Sequence, residues 1–314
     1  KVDKIGFNQD YIQLPNDSLI FLRIFKENLP FKIGRAKQKT NRLFSFGYEG
    51  EFELFEIKIL KPENFNYSSR ITRDKKSDSL LYWLKTDQKL DSVVFNIYND
   101  KFSDTLKLNL RNKENDSLVI KSQQNKTLKF NENFSIEANL PFQSIDKSKI
   151  SVMSNDSTYL SFETIFDTIN NKYSLIFEKQ EDEEYRIELV PGALIDFFEN
   201  TNDSLYYKLS TKTYNDYGNL SLNLINAQPP MIIELTNQNG EVKYDSYITK
   251  KSLIEFKNID PAKYYIRIIF DDNKNKKYDS GNFLNKTQPE KVVYFPEEID
   301  VRAGWDLVQE FILQ

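Results

Sequence analysis

Asp271, Asn273, Asn275, the carbonyl of Lys277 and Asp279 occupy the first, third, fifth, seventh and ninth places of one polar stretch. Hard oxygen donors at that spacing are how an EF-hand-type loop wraps a calcium ion. The sixth place, where such a loop needs glycine for its sharp turn, is Lys276, and the twelfth, where a glutamate binds through both oxygens, is Asn282. Lys274 and Lys276 also bring positive charge to the same spot. The stretch therefore has two readings, a weak calcium loop and a metal-free hairpin loop, and these departures favour the second. Calcium is expected to bind weakly or not at all, and no other cofactor is expected.

Little else in the chain is equipped for chemistry. Histidine and cysteine are both absent, which removes Ser-His-Asp and Cys-His machinery, thiolate metal sites and disulfides. Paired carboxylates, a Ser-Lys dyad or a bound metal remain. The carboxylates, however, fall in turns and on alternating strand positions, and no glycine-rich phosphate loop of either common type occurs. The expectation is a protein that is not an enzyme. A net charge of −4 and a pI near 5.3 give no global reason to expect nucleic acid.

The polar stretch must be held by whatever flanks it. Before it, Tyr264, Ile266, Ile268 and Phe270 alternate with Tyr265, Arg267 and Ile269, the period of two of a half-buried strand. After it, Lys291 to Phe295 forms a second short run. Strand-like runs recur along all 314 residues, including Leu43–Tyr48, Leu80–Leu84, Val93–Tyr98, Phe134–Leu140, Tyr185–Val190 and Leu220–Leu224. Such spacing, broken by Asn, Asp and Lys turns, predicts an all-β chain of tandem Ig-like sandwiches. Residues 28–113 and 114–213 read as two Ig-like units. Residues 214–314 read as a transthyretin-like or carboxypeptidase-regulatory-like sandwich, and 1–27 as closing strands of an upstream domain or an extra edge strand of the next one. Within these, Lys26–Arg42 reads as a solvated basic linker or an anionic-surface contact. Pro191–Phe198 reads as a helical turn and Asn239-Gly240 as a type I′ hairpin. Trp83 reads as core, and the last strand is expected to place Trp305, Leu307, Phe311 and Leu313 on one face. No apolar run approaches the ~18 residues that span a bilayer. The chain opens on Lys1-Val2-Asp3 without an initiator Met, as a processed or truncated segment would.

The wording of the last hundred residues is more specific than its pattern. A strand leads into Asp-x-Asn-x-Asn at Asp271–Asn275, then Gln288-Pro289-Glu290, then Tyr294-Phe295-Pro296-Glu297-Glu298-Ile299. This resembles the C-terminal portion of a family of multidomain Ig-like (SbsA Ig-like type) outer-membrane lipoproteins of Bacteroidota, and Asp78–Lys85 resembles its middle region less closely. The resemblance implies an exported protein, lipid-anchored upstream of Lys1 on the outer membrane. It also implies partners among the other proteins of an envelope complex, with surface glycan binding as the alternative. Asp-Ser/Thr followed by an aliphatic residue or Thr occurs at Asp17, Asp78, Asp91, Asp104, Asp116, Asp156, Asp167 and Asp203, where composition alone would give roughly one. It looks like the Bacteroidota O-glycosylation sequon, and equally like Asp-Ser turn chemistry before a strand. Ser79, Ser117 and Ser204 are the favoured acceptors.

Overall fold

A computed structural model describes residues 4–8, 22–28, 31–50, 55–74, 76–100, 102–250 and 252–313. Within residues 1–27, the strand expected at Asp10–Leu14, the turn at Pro15–Ser18 and the first three residues of the apolar run Leu19–Phe25 lie outside the described residues, as do the first three residues of the strand-like run Phe52–Leu60. The chain is all-β and divides into two compact units, residues 29–212 and residues 1–28 with 213–314.

The larger unit holds two sandwiches. The first comprises β1 (Lys32–Gln38), β2 (Leu43–Glu49), β3 (Glu56–Lys61), β4 (Ser68–Asp74), β5 (Ser79–Lys85), β6 (Ser92–Tyr98) and β7 (Ser103–Asn109). Its sheets run β1-β2-β5-β4 and β3-β6-β7, the ABED and CFG orders of an Ig constant-type domain. Alternation explains its core: Phe44, Phe46, Leu80, Tyr82, Leu84, Val93, Phe95 and Ile97 all point between the sheets.

The second sandwich comprises β8 (Ile120–Ser122), β9 (Phe134–Ala138), β10 (Phe142–Ile145), β11 (Ile150–Met153), β12 (Glu163–Asp167), β13 (Lys172–Ile176), β14 (Glu184–Leu189), β15 (Leu194–Asp196) and β16 (Leu205–Ser210). Its sheets repeat the plan as β12-β13-β9-β8 and β11-β14-β16, with an added β10-β15 pair. The helical turn expected after Pro191 is instead a turn into β15. Gly192 takes φ +78, a left-handed value that suits glycine. The buried Asp196 carboxylate then accepts from Phe198 N at 2.8 Å and Asn200 N at 2.9 Å. These bonds reverse the chain before a helix can propagate.

Lys26–Arg42 is likewise not a solvated linker throughout, because Lys32–Gln38 forms the edge strand of the first sandwich. Trp83 is buried, but on the outer face of its sheet. It joins Leu43 of the same sandwich and Leu140 and Phe197 of the second in one cluster, and its indole N–H donates to Thr72 Oγ1 at 2.9 Å. Arg70 donates to the Phe142 carbonyl and to Gln143 Oε1 across the same junction. The Arg42 guanidinium lies 4.7 Å from the Phe198 ring centroid, and Lys85 pairs with Glu199.

The third sandwich comprises β17 (Gly218–Ile225), β18 (Met231–Thr236), β19 (Val242–Ile248), β20 (Leu253–Ile259), β21 (Ala262–Phe270), β22 (Val292–Tyr294), β23 (Ile299–Val301) and β24 (Asp306–Ile312). Its sheets run β20-β17-β24 and β19-β18-β21-β22, with β23 also on β21. Here β24 pairs parallel with β17, where the first two sandwiches place an antiparallel first strand beside the second. Leu307, Phe311 and Leu313 face the core. Trp305 does not; it stays 48% exposed under the Arg302 guanidinium. At Asn237–Gly240 only Gly240 has positive φ, and its N–H bonds to the Asn237 carbonyl. That is a type I turn closed by a left-handed glycine rather than a type I′ turn, which needs two left-handed residues.

Candidate functional site: the outer sheet face and polar loop of the third sandwich

Pairing fixes which side chains meet outside the β19-β18-β21-β22 sheet. Core positions Met231, Ile233, Leu235, Ile266 and Ile268 leave Ile232, Glu234, Arg267 and Ile269 facing outward. Glu234 pairs in register with Arg267, and Arg267 with Tyr294, so acid, base and phenol form one row. Ile232, Ile269 and Val292 form the next row, and Ile269 retains only 2% exposure despite its outward position. Tyr278 from the loop, Pro289, Glu290 and Lys291 complete a cleft of about 440 Å³, with Arg23 at its rim. Its volume lies in the range of small-ligand sites, roughly 300–1,000 Å³.

Charge in this cleft is well compensated. Glu234 and Arg267 form an ion pair. Burial works against the Arg267 charge, yet the Glu234 carboxylate and the Tyr294 hydroxyl outweigh it and hold the guanidinium above its ordinary pKa. Burial raises the Tyr278 phenol. Tyr294 is 61% exposed, so an aromatic face stands open beside an arginine–carboxylate pair. Such a face can stack on a flat polar ligand while the charged row hydrogen-bonds its rim.

The loop gathers all four predicted ligating residues. Asp271 is fully buried, and its carboxylate accepts from Asn275 N at 3.1 Å and Lys276 N at 3.0 Å. Asn273 Oδ1 accepts from Asn275 N, and Asn275 Oδ1 from Lys277 N, both at 3.0 Å. The two amide groups donate to Asp279 Oδ2. Lys276 adopts φ +63, so the turn that glycine would make is made at a strained position. Asn282 is elsewhere, paired with Thr287.

Glu290 stands close to both ends of the loop. Its oxygens accept from Asp272 N at 3.1 Å and Asp279 N at 2.9 Å. Sequence spacing missed it because it comes eleven residues after Asp279; Gln288-Pro289-Glu290 was its only signal. Burial pushes the Glu290 carboxyl up, reinforced by the Asp279 and Asp271 charges. To bind calcium, these oxygens would have to release N–H donors and both amide groups would have to turn. Among the described residues, no group of three or more His, Cys, Asp or Glu side chains is arranged to hold a metal ion.

The arm beyond the loop receives the N-terminal residues. Ile5 and Phe25 bond reciprocally at 2.8 Å, and Phe25 packs where a side chain on Gly281 would sit, 2.6 Å from an added Cβ. Phe7 lies edge-on to both Phe25 and Phe283, and Gln288 Nε2 donates to the Phe7 carbonyl at 2.7 Å. These described pieces therefore lie on the third sandwich.

The candidate acceptor serines differ in access. Ser117 and Ser204 are exposed. Ser79 opens β5, is 7% exposed, and its hydroxyl donates to the Ser77 carbonyl at 3.0 Å.

No family model matches the chain, and no curated protein matches it. Among solved structures, it is similar to the I9–I11 tandem from titin, at 12% identity over 90% of this chain and 100% of that one, TM-score 0.19. It is also similar to the FN1–FN3 domains of chicken CNTN1, at 8% identity over 88% and 99%, TM-score 0.18. The Bacillus anthracis TIE protein shares 13% identity over 64% of this chain, TM-score 0.21, and the chain spans 41% of its length. The Ig-like fold class rests on the strand orders given above.

Proposed function

We propose that this chain is a non-catalytic scaffold, an accessory lipoprotein subunit of an outer-membrane protein assembly or export complex. The observation that carries the scaffold reading is the joint between the first two sandwiches. Leu43, Trp83, Leu140 and Phe197 bury against one another across it, with Arg70 bonded to both a carbonyl and an amide on the far side. A joint with its own apolar cluster and directional bonds holds two modules as one body, which suits docking on a neighbour more than enclosing a substrate. Membrane, partner and anchor come from the sequence resemblance. Depleting the protein should lower several unrelated outer-membrane proteins together, and gentle extraction should co-purify an envelope complex. Unchanged levels of those proteins would overturn the reading.

A surface glycan-binding role is the second reading, supported by the cleft in which Tyr294 and Tyr278 flank Arg267 and Glu234. It expects saturable binding of a polysaccharide that Tyr294→Ala weakens by about five- to 150-fold, taking the about 1–3 kcal/mol that a flat ring such as a nucleobase gains on an aromatic side chain. Loss of growth on one polysaccharide, with outer-membrane protein levels unchanged, would favour this reading over the scaffold.

A further inference from the structure

The edge strand β1 carries Lys32, Arg35 and Lys37, with Lys39 just beyond it. Strict alternation would send Lys32 and Arg35 to opposite faces. The register shows otherwise: Ile33 pairs with Tyr48 and Ala36 with Phe46, three residues of β1 against two of β2. That extra residue is a β-bulge, which resets the phase of a strand. Ile33 and Ala36 both turn to the core, and all four cations come to the outer face, exposed.

They border a trough of about 610 Å³. Its floor is made of small residues, with Ser45 and Gly47 beneath the cations and Gly34 set against Gly47, where an added Cβ would lie 3.1 Å from the Gly47 carbonyl. Glu49 and Asp78 are the acidic residues lining it. Among the described residues, none of the four cations takes part in an ion pair. This local excess sits on a chain whose net charge is −4, so it does not reflect general basicity.

Lysines also guard exposed sheet edges against pairing with other chains. Guarding requires charge on the edge but no common direction. The bulge gives these four one direction, above a floor low enough to admit a phosphate group.

We propose that this trough is a membrane-contact surface that seats the phosphate head groups of an anionic bilayer. The inference deepens the membrane part of the proposed function and rests on it for which bilayer is met. The test uses purified components, so its failure and the failure of the scaffold reading are separable.

The 314-residue chain is co-sedimented with vesicles of phosphatidylcholine alone and of phosphatidylcholine with about 30% phosphatidylglycerol, at low and high salt. Partition to the anionic vesicles should exceed that to neutral ones and fall as salt screens the charges. Combining Lys32→Gln, Arg35→Gln, Lys37→Gln and Lys39→Gln should weaken it by about fivefold per cation removed. Removing four exposed lysines elsewhere (Lys107→Gln, Lys121→Gln, Lys147→Gln and Lys212→Gln) matches the charge change and should leave most binding in place. An unchanged thermal midpoint shows that each variant is folded. Equal binding to both vesicle types, or equal losses in the two variants, would overturn the proposal. So would binding of a soluble polyanion with no binding to vesicles, or a trough variant that keeps vesicle binding but self-associates.

Discussion

The polar loop at Asp271 and the basic edge strand β1 are both dense in charge, and they use it in opposite ways. In the loop the acidic and amide oxygens are turned inward and taken by N–H donors, with Glu290 bonded to the backbone at Asp272 and Asp279. On β1 and just beyond it the four cations are turned outward, and among the described residues none has an ion-pair partner. A buried carboxylate left without donors costs far more than an exposed ammonium left in water. The loop's charge therefore belongs to the stability of the third sandwich, and the strand's charge has no ion-pair partner among the described residues and faces solvent. Sequence density alone would rank the two regions alike.

The sharpest way to break this comparison is Asp271→Asn. The carboxylate accepts from two backbone N–H groups through its two oxygens, and an amide can replace only one of them. A loss of about 1–3 kcal/mol is expected, as for a buried donor left unsatisfied, read by chemical denaturation. A change below about 0.5 kcal/mol would mean that the loop is not a structural element.

A smaller effect is expected from pH. The Glu290 pKa is raised above its ordinary 4.5 by burial and by the Asp279 and Asp271 charges. The folded state thus holds the proton more tightly than the unfolded chain. Its contribution to stability is fully present below about pH 4.5 and is lost as pH rises through the raised value. Comparing Glu290→Gln with the parent chain across pH 4 to 8 should show the parent losing stability relative to the variant over that window. Parallel curves would remove Glu290 from the account.

On the other side of the comparison, neutralising Lys32, Arg35, Lys37 and Lys39 together should move folding stability by no more than about 0.5 kcal/mol, because exposed charges away from ion pairs contribute little. A larger loss in calorimetry would mean that these side chains have internal partners. The smallest effect concerns calcium. Its addition in the micromolar range should shift the unfolding temperature of the parent chain by less than a degree and give no saturable heat in titration. A micromolar isotherm would show that both amides turn readily.

The local features were legible because their causes are local. Alternation at Tyr264–Phe270 and Leu220–Leu224 follows from neighbouring residues, and the Asx-type bonds from Asn273 and Asn275 reach only two residues ahead. That much, with the all-β class, could be read without coordinates. The same local logic misread Pro191–Phe198, where a period that suits a helix was overridden by Asp196 and its partners four residues or fewer away. It misread the basic stretch as a linker because charge hid the apolar inward positions Ile33 and Ala36.

What only the tertiary structure decided is which distant pieces meet. The placement of Glu290 against the ends of the loop, of Phe25 against Gly281, and of Trp83 against Leu140 and Phe197 depends on contacts between residues that are tens to hundreds of positions apart. The bulge that turns four cations to one side is likewise a property of the β1–β2 register and not of either strand. A period of two tells each side chain that it has an inside and an outside. Burial against a partner then decides what the inside is, because the apolar area removed from water is set by the other surface and is absent from the local pattern.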